Sequence, residues 1–307
     1  MRLSLVLKAC IFATVGWVAV GQQKLLSQGS EVEPQITAAA KRGADDLVIS
    51  LCSNGLAEKM DSRRRAAALF TYRGNAYLHQ GSYGRAMNDY NDALRLEPRI
   101  PMAYCGRGFI YSANSHNELA IKEYDAAIRL VPKYLAAYDD RGHAYRKIRK
   151  FSNAIADFNT AIRLDPTDPA AYVELAIVYY VKGELEKVPA YLQQASAKMR
   201  WSSTDDQGTM RLLGWFCATC PDARFRGCTE AVKWAKRSCE LTNWKSYGSI
   251  DGLAAAYAEC GDFDRAIKFE QQALQVSQFS KKDRLKMEKQ LSLFKDHQPY
   301  RGNFLEL

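Results

Sequence analysis

Aromatic and small residues recur along the middle of the chain with a step of 34. Phe70, Tyr104, Tyr138 and Tyr172 keep that step, and so do Tyr77, Tyr111, Tyr145 and Tyr179. Gly74, Gly108 and Gly142 fall between them, four residues after the first aromatic and three before the second. Spacings of four and three place all three positions on one face of a helix. A second helix follows in each step. It carries Ala86, Ala120 and Ala154, then Tyr90, Tyr124 and Phe158, then Ala93, Ala127, Ala161 and Ala195. Pro98, Pro132 and Pro166 close the units, because proline cannot continue the helix before it. The pattern predicts antiparallel helix pairs. Each glycine and alanine lets a neighbouring helix approach, and each second-helix ring fills the space between units.

A 34-residue helix–turn–helix step with these residues at these positions resembles the tetratricopeptide repeat (TPR) family. The resemblance implies an all-α fold in which the hairpins stack into a right-handed superhelical solenoid. It also implies that the face lined by the first helices holds a protein or peptide. On that face it points to Asn75, Phe109, Asp139, His143, Arg146 and Tyr180 as groove residues, with Thr71 and Cys105 beside them. Some family members clamp a C-terminal carboxylate at five groove positions. Here those positions hold Thr71, Asn75, Gly106, Ala136 and Asp140, of which only the asparagine fits, so binding of that type is not expected.

The remaining chain is less regular. Residues 1–21 read as a leader: Arg2 and Lys8, an apolar run from Ala9 to Val20, and Ala19-Val20-Gly21 as a cleavage signal before Gln22. The alternatives are an anchor retained through residues 3–20 or a buried helix of a cytosolic protein. Residues 22–40 read as a polar linker, and 41–66 as a leading cap using Leu47, Ile49, Leu51 and Leu56. Residues 67–202 hold four repeats. The fourth has Ala176 for glycine, Val188 for alanine, and Pro189 in the first turn of its second helix. Residues 203–280 hold two degenerate pairs, with an insertion near 221–228 and Glu270 where the aromatic belongs. Residues 281–307 form a solvated capping helix and tail. The run from Trp215 to Arg226, with Cys239-Glu240-Leu241-Thr242 and Leu253 to Glu259, resembles a block that ends many bacterial TPR proteins. The resemblance implies a bacterial origin and a TPR-type end unit, and the leader adds export.

Composition adds little chemistry. Of 307 residues, 47% are apolar and 25% charged, which excludes wholesale disorder. The net charge of +9 is spread along the chain, and runs such as Arg63-Arg64-Arg65 and Arg141, Arg146, Lys147, Arg149 and Lys150 read as solvated faces. No aromatics interleave with them along one groove, so no nucleic-acid partner is expected. Phosphate-loop, nucleophile-elbow and paired-histidine metal motifs are absent from the sequence, and Asp139-Asp140 reads as a solvated or peptide-facing pair. No cofactor is expected, and the chain reads as a non-catalytic scaffold. The alternative is a thiol- or metal-dependent accessory enzyme using Cys217, Cys220 and Cys228. These cysteines could equally be core thiols, or form one disulfide clipping the insertion.

Overall fold

The computed structural model describes residues 32–58, 62–203, 206–276 and 281–302. The expected leader and cleavage site lie outside them. Among the described residues there are 15 α-helices and no strand. Contacts divide the chain into two units, one reaching to Asp165 and the other beginning at Pro166.

The N-terminal unit begins with α1 (Val32–Lys41) and α2 (Asp45–Ala57). Three hairpins follow: α3 (Arg63–His79) with α4 (Tyr83–Leu96), α5 (Pro101–Ala113) with α6 (Asn117–Leu130), and α7 (Leu135–Lys147) with α8 (Phe151–Leu164). The second-helix aromatics Tyr90, Tyr124 and Phe158 are fully buried, as the spacing predicts. A Cβ added at Gly108 would lie 2.7 Å from the Tyr124 ring, and one at Gly142 would lie 2.8 Å from Phe158. Those glycines are therefore required by close approach.

The expected linker is in part a helix. Residues 32–41 form α1 because Ile36 and Ala39 are buried against Val48, Cys52 and Leu69. In the leading cap the expected Ile49, Leu51 and Leu56 pack, partly buried, against the cluster that Val48 and Cys52 centre, whereas Leu47 is exposed. Helix α3 already begins at Arg63, with the Ser62 side chain accepting from the Arg65 amide.

The C-terminal unit holds α9 (Ala170–Lys182) with α10 (Val188–Lys198), α11 (Gln207–Thr219) with α12 (Cys228–Leu241), α13 (Tyr247–Glu259) with α14 (Phe263–Gln275), and α15 (Lys281–Lys295). Pro189 sits in the first turn of α10, as expected. Helix α15 is more than a solvated cap. It buries Met287, Gln290 and Phe294, and the chain then turns back so that the Gly302 amide donates to the Thr219 carbonyl at 2.8 Å.

The corner inside the hairpins recurs with a step of 34 from Gly81 to Gly183, and once more, off that step, at Gly261. Gly81, Ser115, Arg149, Gly183 and Gly261 all have φ between 62° and 89°. Each lies four residues after a tyrosine whose carbonyl accepts from the amide one residue past the corner. The bonds are Ser82 to Tyr77, His116 to Tyr111, Lys150 to Tyr145, Glu184 to Tyr179 and Asp262 to Tyr257, at 2.8–3.0 Å. Between α11 and α12 the corner position is Pro221, whose ring forbids positive φ. The chain instead inserts a 3-10 turn, Ala223–Phe225, and the Cys217 carbonyl is reached only by the Gly227 amide.

Candidate functional site

The first helices α3, α5 and α7 carry five of the six expected groove residues. Asn75 is half-buried and already committed. Its carbonyl oxygen accepts from the Tyr90 hydroxyl at 2.7 Å, and its amide nitrogen lies 2.8 Å from the Met102 sulfur. It therefore brackets α4 and α5 to α3. Phe109, Asp139 and His143 are half-buried, and His143 packs edge-on against Phe158 with ring centroids 5.5 Å apart. Arg146 corrects the expectation of a projecting side chain: it is 0% exposed. Thr71 and Cys105 are buried as well. The Thr71 hydroxyl satisfies itself on the Ala67 carbonyl, a local bond that turns it away from any partner. Asp140 is buried too, and burial holds its carboxyl well above the ordinary carboxylate range. The acidic pair is thus one half-exposed and one sequestered group.

Tyr180 lies in the other unit. Its ring meets Phe216 and Phe225 edge-on at 5.7 and 5.8 Å, and burial pushes its hydroxyl up to about 12, with the Cys220 thiol beside it.

Of the basic runs, Arg63, Arg64, Arg149 and Lys150 are exposed as expected, but Arg146 is buried and Arg141 is half-buried. Arg73, Arg107 and Arg141 keep the 34-residue step, and each grips a carboxylate on its own hairpin with two guanidinium nitrogens. The partners are Asp89, Glu123 and Asp157, at 2.6–3.0 Å. The remaining nitrogen reaches back to the preceding element, on Ser53, Asn91 and Asp125 respectively. Each guanidinium also lies over the aromatic that opens its hairpin, Phe70, Tyr104 or Tyr138, at 5.5 Å. Arginine on a polar stripe gave no sequence signal of this role except its period.

The cysteines do not form the reactive set of the alternative reading. Cys228 is bonded to Cys260, across 32 residues, rather than to a cysteine of the insertion. Cys217, Cys220, Cys239 and Cys52 are free thiols. Burial pushes Cys217, Cys239 and Cys52 up to about 12, far from nucleophilic range. Among the described residues no group of three His, Cys, Asp or Glu side chains could hold a metal ion. No helix there is long and apolar enough to cross a membrane.

A family model for the TPR repeat matches residues 74–115 and 142–183. The solved APC/C hetero-tetramer Cut9–Hcn1 is similar at 16% identity and a TM-score of 0.66, over 95% of this chain and 54% of that chain. This chain thus spans about half the length of that relative. MamA from Desulfovibrio magneticus RS-1 is similar over 54% of this chain and 92% of its own, at 18% identity and a TM-score of 0.48. The Arabidopsis OM64 TPR domain is similar over 38% and 97%, at 25% identity and a TM-score of 0.37. No curated protein matches the sequence. The chain carries TPR repeats and an all-α TPR fold, as its 34-residue step implied.

Proposed function

We propose that this chain is a non-catalytic scaffold that holds a protein or peptide on the first-helix face of its repeats, outside the cytoplasm of a bacterial cell. The observation that carries the binding reading is the face of α5 and α7. It leaves an aromatic ring, a carboxylate and an imidazole, Phe109, Asp139 and His143, half-exposed on packed helices. A rigid surface of mixed apolar and ionic character suits a peptide. The compartment reading is supported by the Cys228–Cys260 disulfide, since such bonds persist in oxidising surroundings. Leader removal near Gln22 belongs to the same reading, and the intact mass of the native protein tests it.

The binding test is capture of partners by the parent chain and by a Phe109→Ala, Asp139→Ala, His143→Ala variant, with both proteins checked for equal helicity. Asn75 and Arg146 are left intact because they hold the fold. A partner seated here should lose about 2 kcal/mol or more of binding, most of it from the aromatic. A partner captured equally well by both proteins places the interface elsewhere.

A further inference from the structure

The missing corner after α11 leaves the end of that helix unusual. In the regular hairpins the corner amides close the last carbonyls of the first helix. Here the carbonyls of Ala218, Thr219, Cys220 and Pro221 are met by other groups. Arg226 donates to Cys220 and Pro221 at 2.9 and 2.8 Å. The other two are met by residues that follow α15. The Gly302 amide donates to Thr219 at 2.8 Å, and the Arg301 guanidinium lies 3.4 Å from the Ala218 carbonyl.

Three adjacent residues are read in three different ways. Tyr300 packs against Trp215, ring centroids 5.8 Å apart, with the Lys286 ammonium 3.8 Å from the centre of the Trp215 ring. Arg301 donates to one oxygen of Glu259 at 2.7 Å, while Arg226 holds the other at 2.9 Å. Gly302 fits where a side chain cannot: an added Cβ would lie 2.7 Å from the Thr219 hydroxyl and 3.4 Å from the Trp215 indole nitrogen. That indole N–H is buried and has no acceptor among the described residues, so the site carries a donor that its visible occupant does not use.

We propose that α11 and α13 form a receptor for an aromatic-Arg-Gly segment, which Tyr300-Arg301-Gly302 fills in cis and which a partner segment of the same chemistry displaces. The proposal deepens the scaffold reading by naming a second ligand site and its ligand class. Selectivity follows from the parts. A carboxylate and a helix C-terminal carbonyl favour a guanidinium. The indole favours a planar ring. The crowded floor admits only glycine.

The test is fluorescence anisotropy with a labelled peptide of residues 296–307. It is added to the full chain, to the full-chain variant Arg301→Ala, Gly302→Val, and to Gly302→Val alone. A tethered segment competes at high effective concentration, so both variants should bind the peptide at least about tenfold more tightly than the parent. Glu259→Gln added to either variant should abolish that gain, as should Arg→Ala in the peptide. Equal affinity for parent and variants, or binding indifferent to Glu259→Gln, overturns the proposal. So does a parent chain that sediments as a dimer dissociated by Gly302→Val, because the tail would then seat in a second copy. The titration needs no captured partner, so it can succeed or fail independently of the α5–α7 face.

Discussion

Replacing Arg141 by leucine should cost about 3 kcal/mol, and most of that cost should disappear when Asp157 is replaced as well. The Asp157 side chain is 6% exposed and that of Arg141 is 18% exposed, so the pair is largely out of water. Burial is the largest influence on Asp157 and holds its carboxyl above the ordinary range, while Arg141 pulls it back only in part. Arg141, in turn, is held further in its charged form by Asp157 and Asp125. Desolvation is the largest influence on both groups, but on Arg141 the hydrogen bonds and charges of Asp157 and Asp125 together outweigh it, whereas on Asp157 the single arginine does not. The pair therefore offsets its own burial cost rather than adding a large surplus. Removing only the arginine leaves Asp157 buried without its counter-charge. Asp125, at 36% side-chain exposure, can turn to solvent and adds little.

The chain supplies its own apolar replacement. One step later, the same two positions hold Leu175 and Tyr191, and Tyr191 stacks on Tyr179 at 5.2 Å. Arg141→Leu with Asp157→Tyr should thus lie within about 1.5 kcal/mol of the parent. The coupling in the double-mutant cycle should exceed about 2 kcal/mol. Tryptophan emission is the wrong probe, since the tryptophans among the described residues, Trp201, Trp215, Trp234 and Trp244, all lie in the C-terminal unit. Hydrogen exchange of peptides spanning α7 and α8, with urea unfolding followed by circular dichroism, reads the right unit. The sign with pH is also fixed. The folded pKa of Asp157 is raised, and loss of Arg141 raises it further, so the penalty grows as pH climbs from the parent's folded pKa toward that of the variant. The single variant should approach the parent below that window. Equal losses in the single and double variants, or a penalty independent of pH, would refute the argument.

Two further outcomes follow from the C-terminal unit. Glu270 is fully buried, neither carboxylate oxygen has a hydrogen-bond partner among the described residues, and burial followed by the nearby Asp251 raises its pKa well above the usual range. Glu270→Gln should therefore stabilise the unit by about 1–3 kcal/mol at pH 7–8, with the gain fading as pH falls toward 4 because the unfolded glutamate is then protonated too; thermal melts across that range check it. Reducing Cys228–Cys260 should release two thiols and lower stability by about 4 kcal/mol, the chain-entropy value for a closed loop of about 33 residues; thiol titration with paired urea curves measures both.

The core was legible because its ingredients repeat: a helix face needs small and aromatic residues at fixed steps, and Gly74, Tyr90 and Ala93 announce themselves by recurring. The groove was legible only as a face. Whether Asn75 and Arg146 point outward depends on partners that spacing does not specify, Tyr90 and Met102 in the first case. The arginine ladder hid because arginine on a helix reads as a wet surface until its acid is located 16 residues onward. The tail contact had no signal at all. It joins residues 83 apart, Ala218 and Arg301, through a carbonyl exposed by the irregular corner at Pro221.

The ladder also sets where this chain can be cut or copied. Arg107 and Arg141 each reach about half a step forward and half a step back, to residues 16 away on either side. The ionic unit is therefore out of phase with the helical hairpin. Excising α7 and α8 as a clean hairpin would strand Asp125, which sits on α6. Between Arg73 and Asp157, inserting or deleting a full 34 residues keeps every arginine opposite an equivalent partner, whichever residue the splice begins from. Gene duplication in whole steps is thereby tolerated by the charges, whereas gain or loss of a single helix is not, so the electrostatics enforce the same counting rule on this unit as its packing does.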